Sequence, residues 1–470
     1  MEVYMKALFM IFLIMLLVFC ACDLPNSGSY SNFWATNFIT NSNYKLNAEL
    51  LVEGQYCNVW VEVRSGVGEE EAQKIADEFD NNIYPKLLAA FGIDNIVYNE
   101  MPFGNIMDFA DWLGNKDGKL CILLLNIKAN NGLVGGYFFA NDFFDSANSN
   151  KRDMLYVNTN LVKQNINQAY KLIVHEMQHL MNFATSVLVR YEIIGERQYI
   201  NPMDIWIDEG LSTAAEYIYS GMYNNEYLEW FNHTGTNNSR NGLISKGNNF
   251  FTWGNRGSEN LYAIMDDYAT VYLFFQWLRL HAGDDIYKQI ISSADIDHQS
   301  VTIPLDIALP GQGFSNWDTV LKTWLAANYI NAPDGIYGYL DVPELAVKVP
   351  APNSISATFL LAPGEGVYSL IGDSFSMPNL GTNIRYASLS SSAPLVSDTL
   401  TTAGRVLLTY NRNTSQNGAV ESGTTTGFPI PAASATATVA HSLKPEALSH
   451  YWIGAGDIYR EMRKDQYVLP

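Results

Sequence analysis

The chain has 470 residues, 48% of them hydrophobic and 16% charged, and a formal net charge of −20. This composition excludes disorder and coiled coil, and the length is too great for one ordinary core, so two domains are expected after processing. The acidity argues against nucleic acid as a partner and against a polybasic membrane-binding patch.

Residues 1–22 read as an export signal. Lys6 precedes an apolar run from Ala7 to Phe19, shorter than the ~20 residues of a membrane-spanning helix. Phe19-Cys20-Ala21-Cys22 resembles a relaxed bacterial lipobox with Cys22 as the lipidated residue. Cys20, which follows bulky Phe19, is the second candidate, and plain secretion is the alternative to a lipid anchor. A cell-envelope lipoprotein is expected, touching the membrane only through Cys22. Residues 23–50, rich in Asn and Ser from Asn26 to Asn43, read as a tether. Only Cys57 and Cys121 remain in the mature chain. Export permits a disulfide between them, and two buried thiols are the other option.

Asn58 to Val63 alternates like a strand. Glu69 to Phe91 carries apolar residues at helical spacing, with Pro85 marking a kink or break and Gly92 the stop. Lys119 to Ile127 is a continuous apolar run suited to a buried central strand. Gly135 to Ala140 reads as a further strand at a sheet edge, and Met154 to Val157 as a short one. Helix is expected from Gln164 to Thr185, and a second helix from about Asp208. Asn232 to Asn260 reads as a long loop, followed by apolar helix over Tyr262 to Leu280 and another over Asp318 to Tyr329. Beyond Pro350 short β-type runs appear at Ser356–Leu361, Val367–Ile371, Arg405–Tyr410 and Ala435–Ala440, separated by turn residues. They read as a sandwich-like accessory domain.

His175-Glu176-Met177-Gln178-His179 lies inside the first long helix, with no Pro or Gly near it. Two imidazoles four residues apart share one helical face, where they can offer two nitrogens to one Zn²⁺. The carboxylate of Glu176 between them can reach a water held there. The chain has only seven His, so a chance match to this spacing is uncommon. A surface pair of His on a helix with no metal is the alternative.

A mononuclear hydrolytic site needs a third protein ligand and an open position. Trp206-Ile207-Asp208-Glu209-Gly210-Leu211-Ser212, with Glu216 further on, supplies candidates. This stretch resembles the hyicolysin-type peptidases, and more distantly the membrane alanyl aminopeptidase superfamily, both gluzincin metallopeptidases. The resemblance implies Glu209 as third ligand, with Asp208 standing where the aminopeptidases have Asn. Thirty positions separate His179 from Glu209, and the extra length, Tyr191 to Pro202, reads as a loop. Glu216 shares the face of Glu209 but lies two turns away, ~10 Å, so it reads as a carboxylate behind the ligands or an ordinary helix acid. Tyr268, on a segment that resembles the helix following an oxyanion-stabilising Tyr in the aminopeptidases, is the candidate donor. Tyr272 and His233 are reserves, and a core Tyr is the alternative for Tyr268.

The resemblance implies an α+β zincin-like catalytic domain over residues 51–345, built from a twisted mixed sheet, helices and the HExxH helix. An all-β sandwich-like domain over residues 346–470 is expected after it. The expected activity is peptide-bond hydrolysis by a water activated on one Zn²⁺, with Glu176 as general base and a protein or peptide as substrate. An extended substrate would pair with the edge strand Gly135 to Ala140, where Gly-Gly permits close approach. Endopeptidase action is expected, because no Gly-x-Met-Glu-Asn segment is present to hold a substrate amine. A monomer is expected. The rival reading is a surface adhesin carrying a relict zincin domain.

Overall fold

Residues read as tether form the first strand pair of the sheet. The structure, a computed structural model, describes residues 29–92, 119–129, 134–143, 147–194, 197–232, 250–251, 261–347, 358–370, 382–390, 395–397, 406–415, 421–424 and 467–468. The segment expected to direct export, with Cys20 and Cys22, most of the Asn232–Asn260 stretch including His233, and Ala435–Ala440 lie outside the described residues. Strands β1 (Tyr30–Asn37) and β2 (Ser42–Glu53) pair antiparallel, with Phe33 opposite Leu46. Phe33, Ala35, Leu46 and Ala48 are buried, while Asn32, Asn43 and Asn47 face outward. These outward polar residues give the segment a tether-like composition, while a period-two apolar pattern beneath them makes it sheet.

β3 (Cys57–Glu62) continues the sheet antiparallel to β2. Helix α1 (Glu69–Glu78) follows, then a π-helical turn at Phe79–Ile83, then α2 (Tyr84–Phe91). The single amphipathic run is thus continuous, and the expected kink takes the form of the π turn. Pro85 has no N–H to give the preceding turn, and the wider turn accommodates that. β4 (Leu120–Leu125), buried along its whole length, lies parallel to β3. β5 (Gly136–Phe138) and β6 (Met154–Asn158) complete the sheet in the order β1-β2-β3-β4-β6-β5. β6 is parallel to β4, and β5 runs antiparallel at the edge. The sheet curls enough that its two edge strands meet: the Thr36 N–H donates to Tyr137 Oη at 3.0 Å.

Side chains alternate across β3 and β4 between two cores. Val59, Val61, Ile122 and Leu124 face the helices, while Trp60, Cys121, Leu123 and Leu125 pack inside the curl. This settles the cysteines. Cys57 lies opposite Leu120 and Cys121 opposite Asn58, so the two thiols point to opposite faces, and both are free. Burial raises both thiols, Cys121 to about 12.

α3 (Thr159–Gln164) leads into α4 (Ile166–Val189), whose N-cap Asn165 accepts the Gln168 N–H at 3.3 Å. α4 runs one turn beyond the expected end at Thr185. The expected loop after it is a β-hairpin, β7 (Tyr191–Ile194) with β8 (Arg197–Ile200). α5 (Ile205–Ser220) begins one turn before Asp208 and stops at Gly221, whose φ of 65° is the left-handed C-cap conformation that glycine adopts freely. α6 (Asn225–Asn232), α7 (Leu261–Ala282), α8 (Ile286–Ile291), α9 (Gln299–Ala308) and α10 (Trp317–Ile330) follow. α4, α5 and α7 pack in succession behind the curled sheet. Among the described residues no helix is long and apolar enough to cross a membrane.

The C-terminal strands are β9 (Thr358–Leu361), β10 (Gly366–Leu370), β11 (Ile384–Ser390), β12 (Leu395–Ser397), β13 (Val406–Asn411) and β14 (Glu421–Thr424). They form a four-stranded sheet, β10-β13-β11-β12, and a two-stranded one, β14-β9. The larger sheet leans on α10: Tyr368 Oη donates to the Leu325 carbonyl at 2.7 Å, and Tyr410 Oη to Asp318 Oδ1 at 2.6 Å. Leu389, Val406 and Leu408 join the helical core. Among the described residues the larger sheet of the expected sandwich-like region shares its core with the helices, while Leu361, Val367 and Ile384 form a small cluster of their own. The larger sheet's inward Val and Leu bury apolar surface in that shared core.

Candidate metal centre

His175 and His179 stand one turn apart on α4, and Glu209 on the facing α5. One ligand atom from each lies within 4.8 Å of the others. His175 Nε2 is 3.3 Å and His179 Nε2 3.5 Å from Glu209 Oε2. All three side chains are buried. The close contact of α5 with α7 depends on Gly210: a Cβ there would sit 2.2 Å from the Phe275 ring on α7. Glycine at this position, next to Glu209, lets α7 pack directly on α5.

Two atoms in this cluster have no hydrogen-bond partner although both are buried, His175 Nε2 and Glu209 Oε2. Buried polar atoms are rarely left so. Nitrogen and carboxylate donors converging on one point match a divalent cation such as Zn²⁺, and the site fits it. Charge points the same way. Burial opposes a proton on His175, yet Glu209 and Glu216 overcome it and lift its pKa to about 9. Burial likewise opposes the proton on His179, and Asp208 and Glu209 raise its pKa well above the ordinary value. Burial works against the Glu209 carboxylate, but His179 and His175 hold its pKa well below the usual range. The cluster demands positive charge, which a metal supplies in place of protons.

Each histidine of the cluster is held from behind. His175 Nδ1 is 3.2 Å from Glu216 Oε1. Glu216 Oε2 accepts from Asn224 Nδ2 at 3.1 Å, and the Asn224 N–H donates to Tyr272 Oη at 2.7 Å. Tyr272, a reserve oxyanion donor in the sequence, is thus engaged behind Glu216. His179 Nδ1 is 3.0 Å from Asp208 Oδ2 and 3.0 Å from Ser212 Oγ. Such outer partners fix tautomer and ring orientation.

Glu176 lies beside this cluster, fully buried. Its Oε2 accepts the Phe138 N–H of edge strand β5 at 2.9 Å, and its Oε1 has no partner. Burial raises its pKa, with the two histidines pulling the other way. Tyr268 on α7 is buried, its ring centroid 6.4 Å from that of His175. Burial and then Glu209 raise its hydroxyl pKa well above 10. The glycine at 136 serves packing: a Cβ there would lie 2.5 Å from the Tyr156 carbonyl and 2.8 Å from Leu172. It lets α4 approach the edge strand, a role the expectation of close substrate approach did not include.

Asn182, Ser186 and Arg190 are not among the residues expected from the sequence. They follow His175 and His179 at steps of four, three, four and four along α4, a buried polar stripe on one helical face. That spacing was the signal available for them.

Comparison with known proteins agrees with this geometry. Over 272 residues the chain is 29% identical to the neutral metalloprotease ShpI of Staphylococcus hyicus, a match covering 55% of this chain. The chain is related to a metalloprotease. It spans about half the length of that relative, 54%. No protein-family model matches the sequence.

Proposed function

We propose that this chain is a zinc-dependent endopeptidase of the HExxH gluzincin type, with His175, His179 and Glu209 holding one Zn²⁺. The observation that carries the reading is the convergence of these three donors beside a carboxylate, Glu176, that keeps one oxygen without a partner. When bound, zinc supplies Lewis acidity that brings the pKa of its water to about 7 and polarises a carbonyl.

Glu176 Oε1 accepts the proton of the attacking water, while Oε2 stays on the Phe138 N–H and fixes the carboxylate plane. Its burial-raised pKa suits a base that must return the proton to the leaving amine. Tyr268, kept protonated by burial, donates to the oxygen on which charge develops. An extended peptide lies along β5, the last strand of the sheet among the described residues. The sequence has no Gly-x-Met-Glu-Asn segment to hold a substrate amine, which favours endopeptidase action.

The apolar run ahead of Cys22 supports export and a lipid anchor. The complete set of donors with its adjacent base supports an active centre over a relict one. Digestion of an unfolded protein by the zinc-loaded chain and by Glu176→Gln tests the reading. Cleavage by the wild type, with zinc retained and cleavage lost in Glu176→Gln, is expected. Equal proteolysis by both overturns it.

A further inference from the structure

Arg190 caps the C-terminal end of α4 and is only 3% exposed. A buried guanidinium is costly unless its charge is answered. Its Nη2 donates to Asn182 Oδ1 at 3.1 Å and to Ser186 Oγ at 2.7 Å, and its Nη1 to the Ser293 carbonyl at 3.4 Å. Asn182 passes the contact on, since its Nδ2 donates to Asp208 Oδ1. Asp208 Oδ2 then stands 3.0 Å from His179 Nδ1. Every member of this line is buried, and the hydrolytic steps above make no use of Arg190.

We propose that Arg190 is a positioning residue for the metal centre: through Asn182 it fixes the Asp208 carboxylate on His179 Nδ1 and so aims His179 Nε2 at the metal. The chemistry of each link sets its direction. An amide between a guanidinium and a carboxylate has one favourable orientation, with oxygen toward the cation and NH₂ toward the anion. A carboxylate held at one oxygen by that amide cannot turn away from the imidazole at the other. An imidazole whose Nδ1–H is so engaged keeps its Nε2 lone pair free for a cation. Ser212 Oγ, 3.0 Å from the same nitrogen, donates elsewhere, to Gln178 Oε1 at 2.5 Å. Arg190 also supplies a positive charge for the Asp208 anion at a distance, with the amide between them.

This inference rests on the metal site proposed above. The test measures zinc affinity by competition with a chelating dye, and the visible spectrum of the cobalt-loaded chain. It compares the full-length wild type, Arg190→Met, Asp208→Asn and the double variant. Arg190→Met is expected to weaken zinc binding on the order of tenfold and to shift the cobalt bands. In the Asp208→Asn background the same change is expected to cost less than about twofold, because the link is already cut. Wild-type affinity in Arg190→Met overturns the proposal, as does an equal loss in both backgrounds. Should Arg190→Met fail to fold, Asn182→Ala cuts the same line; a similar loss supports the proposal and unchanged affinity overturns it. A wild type that binds no zinc removes the underlying metal site instead.

Discussion

Glu216 Oε1 lies 3.2 Å from His175 Nδ1, two helical turns beyond Glu209 on the same helix. The distance that keeps Glu216 from sharing the metal with Glu209 is the distance that lets it reach behind His175. Its other oxygen is held by Asn224, so the carboxylate presents a fixed acceptor to the imidazole. Glu216→Ala is therefore expected to lower zinc affinity by about 10- to 100-fold while the fold persists. Chelator competition measures this, and affinity equal to wild type would show that His175 needs no such support.

Gly210 allows α5 and α7 to touch. In Gly210→Ala the new methyl meets the Phe275 ring at 2.2 Å. The overpacking is expected to cost about 1–3 kcal/mol and to move Glu209 off the ligand point. Denaturant unfolding should show the loss, and Phe275→Leu in the same chain should recover part of it. An unchanged midpoint would mean the helices have slack.

Metal removal should be felt in stability. Donors that converge only in the folded chain bind zinc in that state alone, so free zinc at ~1,000 times its dissociation constant adds about 4 kcal/mol. Thermal unfolding with and without a chelator reads this. Identical midpoints contradict a folded-state metal site.

Asp142 gives a separate pH dependence. It is buried inside the curl, accepting from Tyr156 Oη at 2.5 Å and from the Asn150 N–H at 2.7 Å. Burial raises its pKa from 3.8 to about 7, against the pull of those hydrogen bonds and of Arg152. The folded chain therefore holds this proton more tightly than the unfolded chain. Its contribution is complete below the unfolded value and is lost as pH rises through the folded one. From this group alone, unfolding free energy should fall by up to about 1.4 kcal/mol per pH unit between roughly pH 4 and pH 7. Asp142→Asn should remove that slope, and the same pH dependence in both proteins would contradict it.

The helices and the central strand were legible because their apolar residues recur at fixed periods, as in Leu120–Leu125 and Ile166–Val189. The HExxH spacing places its own two imidazoles, so that half of the cluster could be read directly. Glu209 needed the family resemblance, since no spacing rule fixes a ligand thirty positions away on another helix. β1 and β2 were hidden by exposed Asn and Ser on their outer faces. The support behind the ligands was less legible still. Glu216 was one of two readings, and Arg190 acts through Asn182, whose step from α4 to Asp208 on α5 is fixed by no spacing within one helix.

The most direct measurement is the zinc content of the purified full-length chain and of Glu209→Ala, each folded and dialysed against metal-free buffer. One zinc per wild-type chain, and little or none in Glu209→Ala, is the expected result. A folded wild type without zinc, or a Glu209→Ala variant that retains a full equivalent, would contradict the assignment of His175, His179 and Glu209 to a single metal.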